Sequence, residues 1–208
     1  MNKYILSENS TLGIAEGKRL FQIIAVKSFS DVKDGEVGGY VEDLSNLSQD
    51  GNCWIYDDGK VFDSAQILGN AVVAGESIIS GNSKVCDDAI VSDNAEISDN
   101  VIVSGKASIY DNAKLSDYAR VCDNVLVFDK AVVSENVILS GNSKIYGNVR
   151  LSGNVHVCDE AVVCDTAVIY DNVIVSHKGK VCGNAELRND RSVCDTEVVS
   201  GDEQCSYA

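Results

Sequence analysis

From Val61 to Leu187 an aliphatic residue returns at every sixth position, and all 22 places in that series are Val, Ile or Leu. Between them runs a fixed grammar. The aliphatic residue is followed by Ser, Cys, Tyr or Phe, then Asp or Gly, then often Asn, then a small Ala, Val or Ser, then a variable residue. Asp93-Asn94-Ala95, Asp111-Asn112-Ala113 and Gly153-Asn154-Val155 show it clearly. Successive side chains of a strand face opposite ways, so the small residue and the aliphatic residue two places on, such as Ala95 and Ile97, share one side. The Asp/Gly-Asn pair supplies corners, because Gly and Asn tolerate the backbone with positive φ that tight turns demand. Three short strands and three corners make an 18-residue triangular coil. The predicted fold class is therefore all-β, a three-sided parallel β-solenoid of about eight coils from Ile55 to Val198. At about 4.8 Å per coil it would be roughly 38 Å long.

Residues 1–46 do not share the period and read as an N-terminal capping segment, needed because a solenoid leaves open strand edges at its ends. Within it, Tyr4–Leu6 and Leu20–Val26 read as two short strands, followed by a polar loop and a turn at Gly38-Gly39. Residues 47–187 form the predicted β-helix. Arg191 and Glu197 stand where Ala or Val should point inward, and burying such charges is costly. The regular core is thus expected to close near Leu187, leaving 188–208 as a degenerate C-terminal cap and tail.

The hexads resemble the left-handed parallel β-helix of hexapeptide-repeat proteins, the family named after its acyltransferase members. The left hand is what the resemblance implies, since crossover connections in general favour the right. The run Asp31 to Val41, then Asn46-Leu47-Ser48 and Gly51-Asn52-Cys53-Trp54, looks like the front end of a YdcK-like group of phage and prophage hexapeptide proteins named as transferases. If the activity carries over, the resemblance implies a histidine general base, here His156 or His177, and acyl-CoA bound between subunits. The period never slips between Val61 and Leu187, so no extruded loop is expected to build a pocket. Two histidines also fall short of the three that the zinc-dependent hydratases of this fold use. No metal and no cofactor are expected.

Sorting outward positions by the 18-residue column gives one apolar face, carrying Val72, Ile90, Tyr110, Leu126, Phe128, Tyr146 and Val162. A contiguous apolar strip of this kind marks an interface, and a homo-oligomer, trimer or dimer, is expected. A second face carries a column of serines, and the third carries His156 amid alternating Cys and Ser.

Acid gathers at the corners. One edge holds Asp57, Asp93, Asp111, Asp129 and Asp165; a second Asp63, Asp99, Asp117, Glu135 and Asp171; the third Asp87, Asp123 and Asp159. After Asn46 there are 25 acidic against 12 basic residues, within a formal net charge of −15. Direct binding to nucleic acid or an anionic membrane is disfavoured, and a basic protein partner is favoured. The leading functional expectation is a non-catalytic acidic interaction protein of phage type, an inhibitor of a host nucleic-acid-directed defence system whose charged edges mimic nucleic acid. The alternatives are an acyl-CoA-dependent O- or N-acyltransferase and a structural phage component.

No apolar stretch is long enough to cross a bilayer, and a cytoplasmic location is expected. Six of the eight cysteines, Cys86, Cys122, Cys158, Cys164, Cys182 and Cys194, follow the repeat, with no CxxC pair and no zinc spacing. They read as reduced thiols, although Cys164 and Cys182, one coil apart, lie within disulfide reach.

Overall fold

In a computed structural model of the protein, residues 2–13 and 17–201 are described, with side chains left aside at 8–13. Two-residue strands recur every six positions from Trp54–Ile55 to Glu186–Leu187, and each pairs in parallel with the strand 18 residues on. The strands stack into three sheets. The serine face contains Ile78–Ile79, Glu96–Ile97 and Lys114–Leu115; the aromatic face Ile90–Val91, Ser108–Ile109 and Leu126–Val127; the histidine face Ile102–Val103, Arg120–Val121 and His156–Val157. Nine strands stack in the aromatic face, so the solenoid has about nine turns. Among the described residues no helix is long and apolar enough to cross a membrane.

The inward positions are those the alternation predicts. Ile97 and Leu115 are 1% exposed and Val133 is 0%. The small residues Ala95, Ala113 and Ala131 are equally buried, so each coil places a small side chain beside each corner and a larger one at mid-face. That alternation fills a triangular section without voids.

The corners explain the Asp. All of the corner acids named above take positive φ, from 53° at Asp57 to 65° at Asp165, a region Asp tolerates better than most residues because its short side chain bonds locally. Each of thirteen corner carboxylates also accepts the backbone N–H of the residue 18 positions on, as Asp57 does from Gly75, Asp117 from Glu135 and Asp171 from Asn189. One side chain thus sets its own corner and ties it to the next coil.

Three details differ from the expectations drawn from sequence. First, the capping segment is longer-stranded. β1 (Tyr4–Gly13) and β2 (Arg19–Ala25) form an antiparallel pair, and β3 (Val37–Val41) joins β2 to the serine face by pairing with Lys60–Val61. Gly38 and Gly39 are not a turn but lie inside β3, both buried. A Cβ at Gly39 would stand 2.5 Å from the Gly59 carbonyl oxygen and from Ile55 Cγ2, so only glycine fits there. Trp54 plugs this end, edge-on to Tyr4 at 6.2 Å and to Phe29 at 5.5 Å. Lys3 lies buried beside it, its ammonium donating to the Cys53 carbonyl at 2.9 Å.

Second, the regular core does not close near Leu187. Ser192–Val193 and Val198–Ser200 pair in register with the preceding coil, and Val193 and Val199 are buried. The inward charges that should have ended the pattern pair with one another instead, for Arg191 and Glu197 form an ion pair in the last described coil. Pairing removes the isolated-charge penalty that made their burial costly. Third, nine strands stack in the aromatic face where eight coils were counted from Ile55 to Val198, because the strands at both ends of that span, Trp54–Ile55 and Val198–Ser200, join the sheet; residues 202–208 of the expected tail lie outside the described residues.

Candidate functional site

The predicted site residues fall on distinct surfaces. The apolar set lies outward on the aromatic face, where Tyr110, Phe128 and Tyr146 form a continuous stack with ring centroids 5.0 Å apart and planes within 2° and 7° of parallel. Parallel in-register strands force this, because identical positions in successive coils sit one strand spacing apart. Val72, Leu126 and Val162 are half-buried beside the stack, and Ile90 is exposed.

The thirteen corner carboxylates line the three edges, each with one oxygen engaged by backbone. Their presence is accounted for by corner geometry and coil-to-coil bonding.

Neither histidine had a partner legible in the sequence, and the coil gives each one: Asp159 to His177 and Ser140 to His156. His177 occupies the corner directly after Asp159 in its column, at φ 57°, and its backbone N–H donates to Asp159 Oδ2 at 2.9 Å. Its Nδ1 lies 4.0 Å from the same oxygen and 3.2 Å from Ser176 Oγ. His156 is on the histidine face of Asp159's own coil, half-buried, with Nε2 3.3 Å from Ser140 Oγ. The His177 N–H holds the Asp159 carboxyl below its ordinary value, and the thiol of Cys158 and the charges of His177 and then His156 act in the same direction. The Cys158 thiol, 3.7 Å from Asp159 Oδ2, is pushed up by burial and by that carboxylate, so it is no poised nucleophile.

This edge can do proton chemistry. An imidazole with one nitrogen turned toward a carboxylate and the other open to solvent is the arrangement of a general base with an orienting acid. In His177 the hydrogen-bond partner of Nδ1 is Ser176 Oγ, with the Asp159 carboxylate 4.0 Å away as a nearby charge; the Nε2 of His156 is engaged by Ser140. The signal available in the sequence was the 18-residue spacing of Asp159 and His177.

A shallow groove of about 280 Å³ on the serine face is lined by Ile78, Ser80, Glu96, Ser98, Lys114 and Ser116. A polar one of about 490 Å³ lies against Glu135, Asn154, Asp171, Asn172 and Asp190. Neither includes a histidine.

Comparison with known proteins agrees with this architecture. A family model described as the YdcK β-solenoid repeat matches residues 119–135. A protein of Escherichia coli (strain K12) named "Uncharacterized acetyltransferase YdcK" is 40% identical over 84 residues, which is 37% of this chain and 26% of that protein. The matched stretch therefore spans about a quarter of that relative's length. The chain is also similar to the UDP-N-acetylglucosamine acyltransferase from Campylobacter jejuni, at 12% identity and a TM-score of 0.33, over 70% of this chain and 68% of that one. In sequence motif and in architecture, the chain is similar to YdcK-like proteins of the hexapeptide-repeat β-helix type.

Proposed function

We propose that this protein transfers an acyl group from an acyl-CoA thioester to a hydroxyl or amine acceptor, at the edge that carries His156, Asp159 and His177. The observation that carries the reading is the seat of His177 beside Asp159, whose carboxylate accepts the His177 backbone N–H at 2.9 Å and lies 4.0 Å from its Nδ1. The name of the Escherichia coli relative supports the same chemistry. In this mechanism His177 Nε2 takes the proton of the acceptor O–H or N–H as that atom attacks the thioester carbonyl. The tetrahedral intermediate collapses by breaking the carbon–sulfur bond, and the leaving thiolate takes the proton back from the imidazolium. Ser176 holds Nδ1 so that Nε2 presents its lone pair, and the nearby Asp159 charge favours the charged ring during transfer.

A flat solenoid side cannot exclude water alone, so a second copy of the chain supplies the other wall. The stacked Tyr110, Phe128 and Tyr146, with the apolar residues beside them, lie on the face that meets the histidine face at the Asp159 edge. We take that face as the self-association surface of a trimer or dimer. The inhibitor reading draws no comparable support, because the carboxylates it would use are engaged in the corners.

The test is a calorimetric titration with acetyl-CoA, with thiol release followed against a panel of amine and hydroxyl acceptors and native mass measured on the same sample. Heat of binding, turnover lost in His177→Ala, and a mass above that of one chain are expected. Absence of any heat with acetyl-CoA would remove the enzyme reading, and a monomer would remove the shared-wall arrangement.

A further inference from the structure

The outward column of the aromatic face continues beyond its rings into two thiols. Cys164 follows Tyr146 by one coil and Cys182 follows Cys164, in neighbouring in-register strands. Asp165 takes the corner right after Cys164, where its Oδ2 accepts the Gly183 N–H at 2.9 Å. The two sulfurs and a carboxylate oxygen of Asp165 all lie within 4.8 Å of one another. Cys164 is 2% exposed, Cys182 is half-buried and Asp165 is exposed, so the carboxylate side of the group faces solvent.

We propose that Cys164, Cys182 and Asp165 bind one thiophilic divalent cation of the zinc or cadmium class. Two sulfur donors and one carboxylate are a borderline-soft set suited to such ions and ill-suited to magnesium or calcium, which take oxygen. Zinc–sulfur bonds of about 2.3 Å let one ion bridge sulfurs up to about 4.6 Å apart. Rotation of the half-buried Cys182 side chain brings the group within that span, and a water completes four ligands. The Gly183 N–H bond fixes the Asp165 carboxylate on the thiol side of the corner before any ion arrives. The acidic chain, at −15, raises the local concentration of cations around it.

The remaining column of thiols cannot do the same. Cys86, Cys122, Cys158 and Cys194 recur every second coil, about 9.6 Å apart at the spacing of strands, beyond the reach of a shared ion. A bound ion at Cys164 and Cys182 would clamp two adjacent coils near the C-terminal end, where the inward aliphatic pattern is interrupted by Arg191 and Glu197.

The experiment titrates the full-length protein, kept reduced with a phosphine, with cadmium as the probe. It follows the ultraviolet thiolate-to-cadmium charge-transfer band and metal content after gel filtration. One equivalent with the band is expected for wild type and for Cys158→Ser, and loss of both in Cys164→Ser and in Cys182→Ser. Cys182 is on the surface side, so Cys182→Ser tests the site even if Cys164→Ser perturbs packing; circular dichroism verifies the fold of each. Equal cadmium content in wild type and Cys182→Ser, whether one equivalent or none, overturns the proposal.

Discussion

Asp117 offers a direct test of why the corners are acidic. It sits at φ 60° and its Oδ2 accepts the Glu135 N–H at 3.0 Å. Its own N–H donates to Asp99 at 3.2 Å, so it is a middle link of a ladder along one edge. Replacing it by Ala removes the acceptor and forces an ordinary residue to hold positive φ. A positive-φ backbone costs a residue with Cβ about 1–2 kcal/mol, less for Asp. A hydrogen bond to a charged group contributes about 1.5–3 kcal/mol, here reduced to about 1 because water can reach the freed N–H. Asp117→Ala should therefore destabilise by about 2 kcal/mol, seen as a fall in melting temperature of about 4–8 °C. Asp117→Gly relieves the backbone but not the lost bond and should cost about 1 kcal/mol. Asp117→Asn keeps both the acceptor and the tolerance of positive φ, and should lie within about 0.5 kcal/mol of wild type. The assay is thermal and urea unfolding followed by circular dichroism; each coil contributes through its neighbours, so a mid-rod change is read in the whole transition. If Asn and Ala prove equally harmful, negative charge and not corner geometry selects Asp, and the stereochemical explanation of the acidic edges is refuted.

Two further outcomes concern the N-terminal cap. Gly39→Ala puts a methyl against the Gly59 carbonyl oxygen, which the strand cannot move aside. A loss of about 3 kcal/mol in thermal stability is expected, with faster hydrogen exchange across β2 and β3; an unchanged melt would rule out the close approach. Lys3 has its pKa drawn below 10.5 chiefly by burial. Between the folded and unfolded values the unfolded chain binds more protons, so the contribution of Lys3 to stability rises with pH across that window and is least favourable below it. The stability of wild type relative to Lys3→Met should accordingly increase toward alkaline pH in paired urea titrations, and a flat difference would show that Lys3 titrates alike in both states. The comparison with Lys3→Met is needed because the neighbouring Cys53 thiol, pushed up by burial, contributes a trend of opposite sign.

The solenoid was legible from the chain because its information is local and repeated. Period two assigns Ala95 and Ile97 to the interior, period six places the corners at Asp93 and Asp99, and period eighteen stacks Tyr110 on Phe128 on Tyr146. Each inference needs only strand alternation and the conformational tolerance of Asp and Gly, and neighbouring coils supply nearly all the contacts.

Legibility stopped where contacts leave the period. Gly38-Gly39 reads as a turn in isolation and becomes a strand because Ile55 and Gly59 press against it, a constraint from residues 16 and more positions away. Arg191 and Glu197 each look unfit for an interior, and become acceptable only as a pair in the last described coil. His177 shows no partner along the chain, and it takes the winding of one coil to set it beside Asp159. The same winding joins Cys164, Asp165 and Cys182 into one set of donors. The periodic backbone thus follows from short-range stereochemistry, whereas the chemistry of its ends and edges depends on charges and thiols made neighbours only when the coils are stacked.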